Sequence, residues 1–300
     1  MNLFGPFYIK VRRSSVKRYG VLFTCLASRA VHIEAVHSME TDSFILSLRR
    51  LVARRGNIRM IRSDNGTNFV GADKQLHEEF MKMNHSKISD FLSQHNGDWI
   101  VWKRNPPHAS NYGGVWERHI RTARNILSGM LKIHGEILHE ESFQTLLAEV
   151  ENVINSRPLN VDNLSDPSSL KPISPMTLLT QKSKVVYPLP GKFDGADVYS
   201  RKHWRRVQHL VNEFWARWRK EYLNTLQERS KWHNELKNTV EINDVVLMKD
   251  ERPRNDWNLA RVTRLIHDND LLRTVEIELA NKLKLIRPLN KIILLQKYKI

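Results

Sequence analysis

Residues 58–69 read Ile58-Arg59-Met60-Ile61-Arg62-Ser63-Asp64-Asn65-Gly66-Thr67-Asn68-Phe69, a short apolar run followed by a polar turn. The apolar run predicts a buried strand over 58–61, and the Asp-Asn-Gly sequence is typical of a tight turn. We therefore expect Asp64 at the end of a strand, where a carboxylate can bind a cation. Alone, an aspartate in such a turn is more often structural than catalytic, because its side chain hydrogen-bonds the local backbone.

A second carboxylate lies in residues 106–118, which read Pro106-Pro107-His108-Ala109-Ser110-Asn111-Tyr112-Gly113-Gly114-Val115-Trp116-Glu117-Arg118. The glycine pair precedes a helix predicted over about 115–133, so Glu117 lies near the start of that helix. Acidic residues there commonly do no more than complement the helix dipole. However, one carboxylate at a strand end and another on a facing helix can together hold Mg²⁺ or Mn²⁺ and leave coordination positions for phosphate oxygens.

Hydrophobic periodicity around these two blocks predicts an α/β fold, with a mixed five-stranded sheet flanked by helices. The strands are expected at 7–11, 19–26, 30–36, 58–61 and 99–102, and the helices at 41–54, 72–83, 115–133 and 142–155. Thr41 can cap the first helix, Asp42 complements its dipole, and Gly56 is expected to end it.

The second half of the chain has a different composition. Residues 158–200 hold most of the prolines and are predicted to form a linker. Apolar residues spaced three or four apart from Trp204 to Tyr222 predict a long helix, and four short strands between 240 and 295 predict a small β-barrel. We therefore expect four regions. They are a core over 1–157, a Pro-rich linker over 158–200, a long basic helix over 201–237 and a small β-barrel over 238–300.

The composition restricts the partners and the compartment. The chain carries 48 Lys and Arg against 32 Asp and Glu, a formal net charge of +16, which points to a polyanion such as nucleic acid. A single cysteine, Cys25, excludes an internal disulfide framework or a multi-cysteine zinc site, and its predicted strand suggests a buried thiol. Apolar runs are shorter than the roughly 20 residues that cross a bilayer, and the first residues lack a signal-peptide pattern. We expect an intracellular protein.

Several motifs in combination resemble the integrases of LTR retrotransposons of the BEL/Pao group. The motifs are Phe4-Gly5-Pro6-Phe7, residues 19–34, residues 61–69, residues 102–118 and Asn155-Ser156-Arg157-Pro158. This resemblance covers about residues 1–180. Residues 204–295 resemble the C-terminal region that follows the integrase core in the same polyproteins, most clearly at 240–247 and 253–257. It implies that residues 1–157 form an RNase H-like catalytic core with a DDE metal site, which binds Mg²⁺ or Mn²⁺ for DNA strand transfer.

The resemblance also assigns roles to single residues. It places the second acidic ligand at Asp64 and the third at Glu117, whereas the first falls on Asn2. Asparagine supplies one neutral carbonyl oxygen and cannot replace a carboxylate that bridges two metal ions. We therefore expect weakened metal binding and impaired strand transfer. Asn65 and Asn111 are candidates for positioning substrate, and the zinc-binding domain that precedes the core in family members is expected to be absent.

Basic residues on two predicted helices are the candidate DNA contacts. They are Arg118, Arg121 and Arg124 on the first helix and Arg205, Arg206, Arg219 and Lys220 on the second. A solvated charged face explains the first group almost as well. Three tryptophans of the second helix are predicted to pack in a core: Trp204, Trp215 and Trp218. Three histidines are expected to be structural rather than metal ligands or bases: His32, His37 and His108.

Two functions remain open at this point. In the first, the chain is a retrotransposon integrase core of the DNA integration class, with DNA as its partner and homo-oligomerisation left open. In the second, it is a non-enzymatic, nucleic-acid-binding remnant of a retroelement, whose affinity comes from its basic surface. An RNase H-type nuclease would share the fold and the metals, but residues 106–118 favour an integrase. We expect no membrane partner, no small-molecule substrate and a nuclear location.

Overall fold

The computed structural model describes residues 1–63, 84, 86–88, 90, 101–104, 114–162, 170–182, 188–226, 240–268 and 271–298, with the backbone alone for Asn2, Ser63, 101–104, 114–119, Asp268 and Leu271. The chain divides into two compact units, each formed by two stretches of sequence. The first unit comprises Met1–Glu151 and Phe193–Phe214, and the second comprises Asn152–Lys192 and Trp215–Ile300. Among the described residues, no helix combines the length and apolarity that a membrane span requires.

The first unit begins with the predicted run of three strands. They are β1 (Asn2–Val11), β2 (Ser14–Thr24) and β3 (Val31–Val36), and they form an antiparallel sheet in that order. Side chains alternate across β1: Phe7 and Ile9 are buried, whereas Tyr8 and Lys10 are exposed. This alternation is the pattern of a sheet with one face on the core.

Gly20 lies at a close contact within this sheet. It pairs with Phe4 across β1 and β2, and a Cβ atom on Gly20 would lie 2.3 Å from the Phe4 ring. The ring is buried in the core, so it has little room to move. Position 20 therefore requires glycine.

The helix α1 (Thr41–Arg55) packs against β3. Asp42 lies in its first turn and Gly56 ends it with a φ of 82°, as the sequence predicts. The predicted Thr41 cap is wrong, because the helix starts at Thr41 and the N-cap residue is Glu40. The buried stripe of the helix contains Phe44, Leu48 and Leu51.

Strands β4 (Met60–Ser63) and β5 (Val101–Arg104) pair in parallel. Strand β4 lies two residues later than predicted, and the described part of the predicted strand 99–102, residues 101–102, lies in β5. Within the described ranges, the five strands thus form a three-stranded and a two-stranded sheet, whereas the sequence suggested one mixed sheet. The backbone nitrogen of Met1 nevertheless donates to the carbonyl oxygen of Arg62 over 2.8 Å, which links the start of β1 to β4. The predicted helix over 72–83 lies outside the described residues.

Two long helices follow, α2 (Gly114–His134) and α3 (Glu140–Asn155), joined by a 3₁₀ turn over Gly135–Ile137. Helix α2 packs against β1, and the 3₁₀ turn contacts the same strand. At that contact, a Cβ atom on Gly135 would lie 2.6 Å from the backbone oxygen of Tyr8. The close approach of two backbones explains why a glycine occupies this corner.

The segment predicted to be a linker contains short elements. They are β6 (Asn160–Val161), β7 (Pro172–Ile173), α4 (Pro175–Thr180) and a 3₁₀ turn over Gly195–Tyr199. The long helix α5 (His203–Leu226) begins two residues after its predicted start at 201, and its predicted end at 237 lies outside the described residues. Of its three tryptophans, Trp215 and Trp218 are buried as predicted, but Trp204 is 48% exposed.

The second unit contains an antiparallel sheet of five strands in the order β11-β10-β9-β8-β12. The strands are β8 (Val245–Met248), β9 (Leu259–Asp268), β10 (Leu271–Leu279), β11 (Lys284–Pro288) and β12 (Ile292–Gln296). The predicted closed barrel is not formed: among the described pairings, β11 and β12 stay at opposite edges of the sheet. Only Leu289–Lys291, a 3₁₀ turn, separate these two strands along the chain.

Candidate nucleic-acid interface

The predicted metal site falls mostly outside the described residues. Asp64 is not described, and neither are the side chains of Asn2 and Glu117. The backbone places β1, which carries Asn2, beside β4 through the hydrogen bond between Met1 and Arg62, and it places α2, which carries Glu117, against β1. Within the described residues, no group of three His, Cys, Asp or Glu side chains could hold a metal ion.

The basic residues predicted on α2 are only partly described. The side chain of Arg118 is not described, Arg121 is exposed, and Arg124 is half-buried. Arg121 is therefore the member of this group whose guanidinium the structure places in solvent. On α5, Lys220 is also exposed.

Arg205 is held by a carboxylate and two aromatic rings. Its Nε and Nη2 atoms donate to the two carboxylate oxygens of Asp197 over 2.6 and 3.1 Å. Its Cζ atom also lies 5.1 Å from the ring centre of Phe193 and 5.6 Å from that of Trp204. The hydrogen bond from Arg205 lowers the pKa of Asp197, so this pair is ionised at neutral pH.

Arg206, the next residue, is used inside the fold. It is 9% exposed, and its Nε and Nη2 atoms donate to the carbonyl oxygens of Val198 and Ser200 over 2.6 and 2.9 Å. Its Nη1 atom donates to the carbonyl oxygen of Ile137. Burial lowers the pKa of Arg206, and the three carbonyl dipoles compensate the buried charge. The guanidinium of Arg206 therefore stabilises the fold and is not available to contact DNA.

Arg219 has a similar position in the second unit. Its Nη2 atom donates to the carbonyl oxygens of Asp250 and, over 3.4 Å, Met248. Burial lowers the pKa of Arg219 despite the nearby carboxylate of Asp250. Both arginines tie their helix to neighbouring backbone.

The segment before α5 and the first turn of that helix also present exposed aromatic and basic side chains, of which only Trp204 was named from the sequence, as a core residue. Tyr199 is 80% exposed and Trp204 is 48% exposed, and Arg201, Lys202 and His203 between them are exposed too. The ring of His203 stacks on that of His139, with 4.6 Å between their centres. The helical spacing of apolar residues did not reveal that Trp204 is exposed, because spacing alone cannot show that the first turn of a helix extends beyond the core.

A different cluster surrounds His32, which is buried at 5% exposure. Its Nε2 atom lies 3.0 Å from Oε1 of Glu34, and its Nδ1 atom lies 3.1 Å from Oε2 of Glu151. Two arginines of α1, Arg50 and Arg54, contact Glu34 over 2.6 and 2.5 Å. These groups line a cavity of about 650 Å³ between β3, α1 and α3.

The charges in this cluster compensate one another. Burial alone lowers the pKa of His32, but the nearby carboxylates of Glu151 and Glu34 outweigh it and raise that pKa. Burial likewise opposes ionisation of Glu34, but His32, Arg50 and Arg54 lower the pKa of this carboxyl. His32 is buried and ion-paired, as expected for a structural histidine, whereas His37 is exposed beside Glu140 and His108 lies outside the described residues.

Cys25 differs from its prediction. It is exposed and follows the last residue of β2, because that strand ends at Thr24 rather than continuing to Leu26. Partial burial acts to raise the pKa of the thiol, but the hydrogen bonds from Ser28 lower it overall. The thiol is therefore accessible rather than packed in the core.

Comparison with known proteins gives two similarities. Residues 202–295 match a family of unknown function (DUF5641). Among solved structures, a chain of the simian T-cell lymphotropic virus intasome in complex with PP2A regulatory subunit B56 gamma is similar, with 12% identity and a TM-score of 0.35 over 98% of this chain and 76% of that chain. No curated protein matches the sequence.

Proposed function

We propose that the chain is a DNA-binding protein of the retrotransposon integrase class, in which metal-dependent strand transfer is impaired. The observation that supports it best is the hydrogen bond between Met1 and Arg62. Met1 adjoins Asn2, and Arg62 lies on β4, the strand that precedes Asp64 in the sequence. The packing of α2 against β1 supports the same grouping for Glu117. The formal charge of +16 provides the attraction for DNA phosphates.

The donor set fits a divalent ion only in part. Asp64 and Glu117 would hold Mg²⁺ or Mn²⁺, which prefer hard oxygen ligands. Such an ion would supply Lewis-acid activation of a phosphodiester. Asn2 adds a neutral oxygen where two ions would need a bridging carboxylate, so this chain's residues are better suited to one weakly bound ion than to a pair.

A strand-transfer assay with Mg²⁺ or Mn²⁺ tests this proposal. We expect the unmodified chain to bind duplex DNA and to join little or none of it, and we expect Asn2→Asp to increase joining. The matched control is the double variant Asn2→Asp/Asp64→Asn, in which the gain should disappear. Efficient joining by the unmodified chain would refute the impairment, and no DNA binding at low salt would refute the proposal itself.

The second candidate, a non-enzymatic nucleic-acid-binding protein, is favoured by the same Asn2. In that case binding should weaken steeply with salt and depend little on base sequence, since phosphate contacts supply the affinity. The two candidates are separated by Asn2→Asp, because a variant that binds DNA and still joins none supports the second. Either function would place the protein in the nucleus.

A further inference from the structure

Three aromatic side chains stand out among the exposed large apolar residues of the described ranges. They are Tyr8, Tyr199 and Trp204, which are 45%, 80% and 48% exposed. Single exposed apolar residues are common on proteins and need no explanation. These three aromatic residues, however, lie in one unit and have cations near them in the sequence, so their grouping does need an explanation.

A chain of contacts joins them. Tyr8 and Lys10 are on the same face of β1, and the backbone nitrogen of Lys10 donates to the carbonyl oxygen of Leu138 over 2.8 Å. The next residue, His139, stacks on His203, which precedes Trp204. We call the group formed by Tyr8, Lys10, Tyr199, Arg201, Lys202 and Trp204 the aromatic–basic surface.

The segment that carries Tyr199 is held in place. Arg206 donates to the carbonyl oxygens of Val198 and Ser200, the two residues that flank Tyr199. On the other side, Trp204 packs edge-on against Phe193, with 5.8 Å between the ring centres. The exposed rings are therefore presented by a fixed backbone, which reduces the conformational entropy lost when a ligand stacks on them.

The electrostatics of this surface favour an anion. Asp197, the buried carboxylate of the segment, is already paired with Arg205. Burial, together with the nearby His203, Lys10 and Arg206, lowers the pKa of His139, so basic groups surround this imidazole. The exposed cations Arg201 and Lys202 lie between the two exposed rings of the segment.

We infer that the aromatic–basic surface binds single-stranded nucleic acid, with unpaired bases stacked on Tyr199 and Trp204 and phosphates contacting Lys10, Arg201 and Lys202. Rings stack on bases only where the bases are not already paired and stacked in a duplex, so the aromatic component selects single strands. The inference rests on the proposed nucleic-acid binding and adds a substrate class to it.

The test compares a labelled oligothymidine of about 20 nucleotides with a duplex of the same length, by fluorescence anisotropy on the full chain. Tyr199→Ala should weaken single-strand binding by about 5- to 150-fold and leave duplex binding unchanged, whereas Tyr199→Phe should retain both. Leu46→Ala is the matched control, because Leu46 is a 60% exposed apolar residue on α1. Tyr199 is exposed enough that a melting curve should be unchanged by its substitution.

The charged component is tested separately. Arg201→Gln and Lys202→Gln should each make the dependence of log affinity on log salt less steep, by about 0.7 in the magnitude of the slope for the single strand. Tyr199→Ala should leave that slope unchanged. Equal effects of Tyr199→Ala on both probes, or no effect on either, would overturn the inference. In that case, duplex binding by the unmodified chain would still support the proposed function. Failure of the unmodified chain to bind either probe would overturn both.

Discussion

The cluster around His32 and the aromatic–basic surface both collect basic residues, but they use them differently. In the cluster, Arg50 and Arg54 contact Glu34, and His32 lies between two carboxylates. On the surface, Arg201 and Lys202 are exposed between aromatic rings. The comparison shows that the cations behind the net charge of +16 do not all have the same role. Some cations neutralise buried acids, and others remain available to a polyanion.

The largest expected effect follows from removing the buried anion of the cluster. Glu34→Gln should destabilise the protein by about 2 to 3 kcal/mol, because the buried carboxylate of Glu34 is the shared partner of Arg50, Arg54 and His32. The loss is smaller than for a fully buried pair, since the two arginines are partly exposed and His32 keeps Glu151. Urea unfolding measures the change. Asp42→Asn is the control, since its ion pair with Lys87 is exposed and is expected to contribute less than about 1 kcal/mol. Equal losses in the two variants would contradict the contrast between buried and exposed pairs.

Arg206 shares a property with each region: it is buried, like the cluster around His32, and it holds the backbone on both sides of the exposed Tyr199. Arg206→Lys should destabilise the protein by about 2 kcal/mol, since one ammonium cannot reach the carbonyl oxygens of Ile137, Val198 and Ser200 together. Thermal melting measures this, and the neighbouring Arg205→Lys should cause a smaller shift. Single-strand binding should also fall in Arg206→Lys, and unchanged binding would show that Tyr199 does not depend on this support.

The pH dependence of stability separates the two regions further. The pKa of His32 is raised in the folded state, so its stabilisation is complete below about 6.5 and is lost as pH rises through the folded-state value. The pKa of Glu34 is lowered, so its stabilisation is present above about 4.5 and is lost as pH falls through the folded-state value. Unfolding free energy should therefore decline above pH 6.5.

His32→Gln is the variant that tests this assignment. It should remove most of the decline above pH 6.5, because glutamine does not titrate. The exposed His37→Gln provides the control and should leave the pH profile of the unmodified chain in place. A profile that is the same in all three proteins would assign the pH dependence to other groups.

The smallest effect on stability is expected at the aromatic–basic surface. Arg201→Gln/Lys202→Gln should change the unfolding free energy by no more than about 0.5 kcal/mol, as is usual for exposed positions without special contacts. The same urea unfolding experiment measures it. A loss above about 1 kcal/mol would show that these cations stabilise the fold, which would remove the distinction between the two regions.

Much of the local structure could be predicted from the sequence. The alternating pattern predicted β1 and β3, and the apolar stripes predicted α1, α2 and α3. Local patterns were sufficient because each of these elements buries one continuous face.

The errors and omissions involve residues that are distant in the sequence. Glu151 approaches His32 from 119 positions away, and no local pattern predicts such a contact. The open ladder between β11 and β12 depends on strand pairing across the sheet, whereas short strands with tight turns are equally compatible with a barrel. The exposure of Trp204 depends on where the helix starts relative to the core, which periodicity does not show.

The contact between Gly135 and Tyr8 has a consequence for how variation is tolerated. A methyl group at position 135 would meet a backbone oxygen, which cannot rotate away as a side chain can. The corner between α2 and α3 would have to lift off β1, and the stacked imidazoles that follow it would move with it. A single added, uncharged carbon atom would thus separate the members of the aromatic–basic surface on β1, Tyr8 and Lys10, from those at the start of α5.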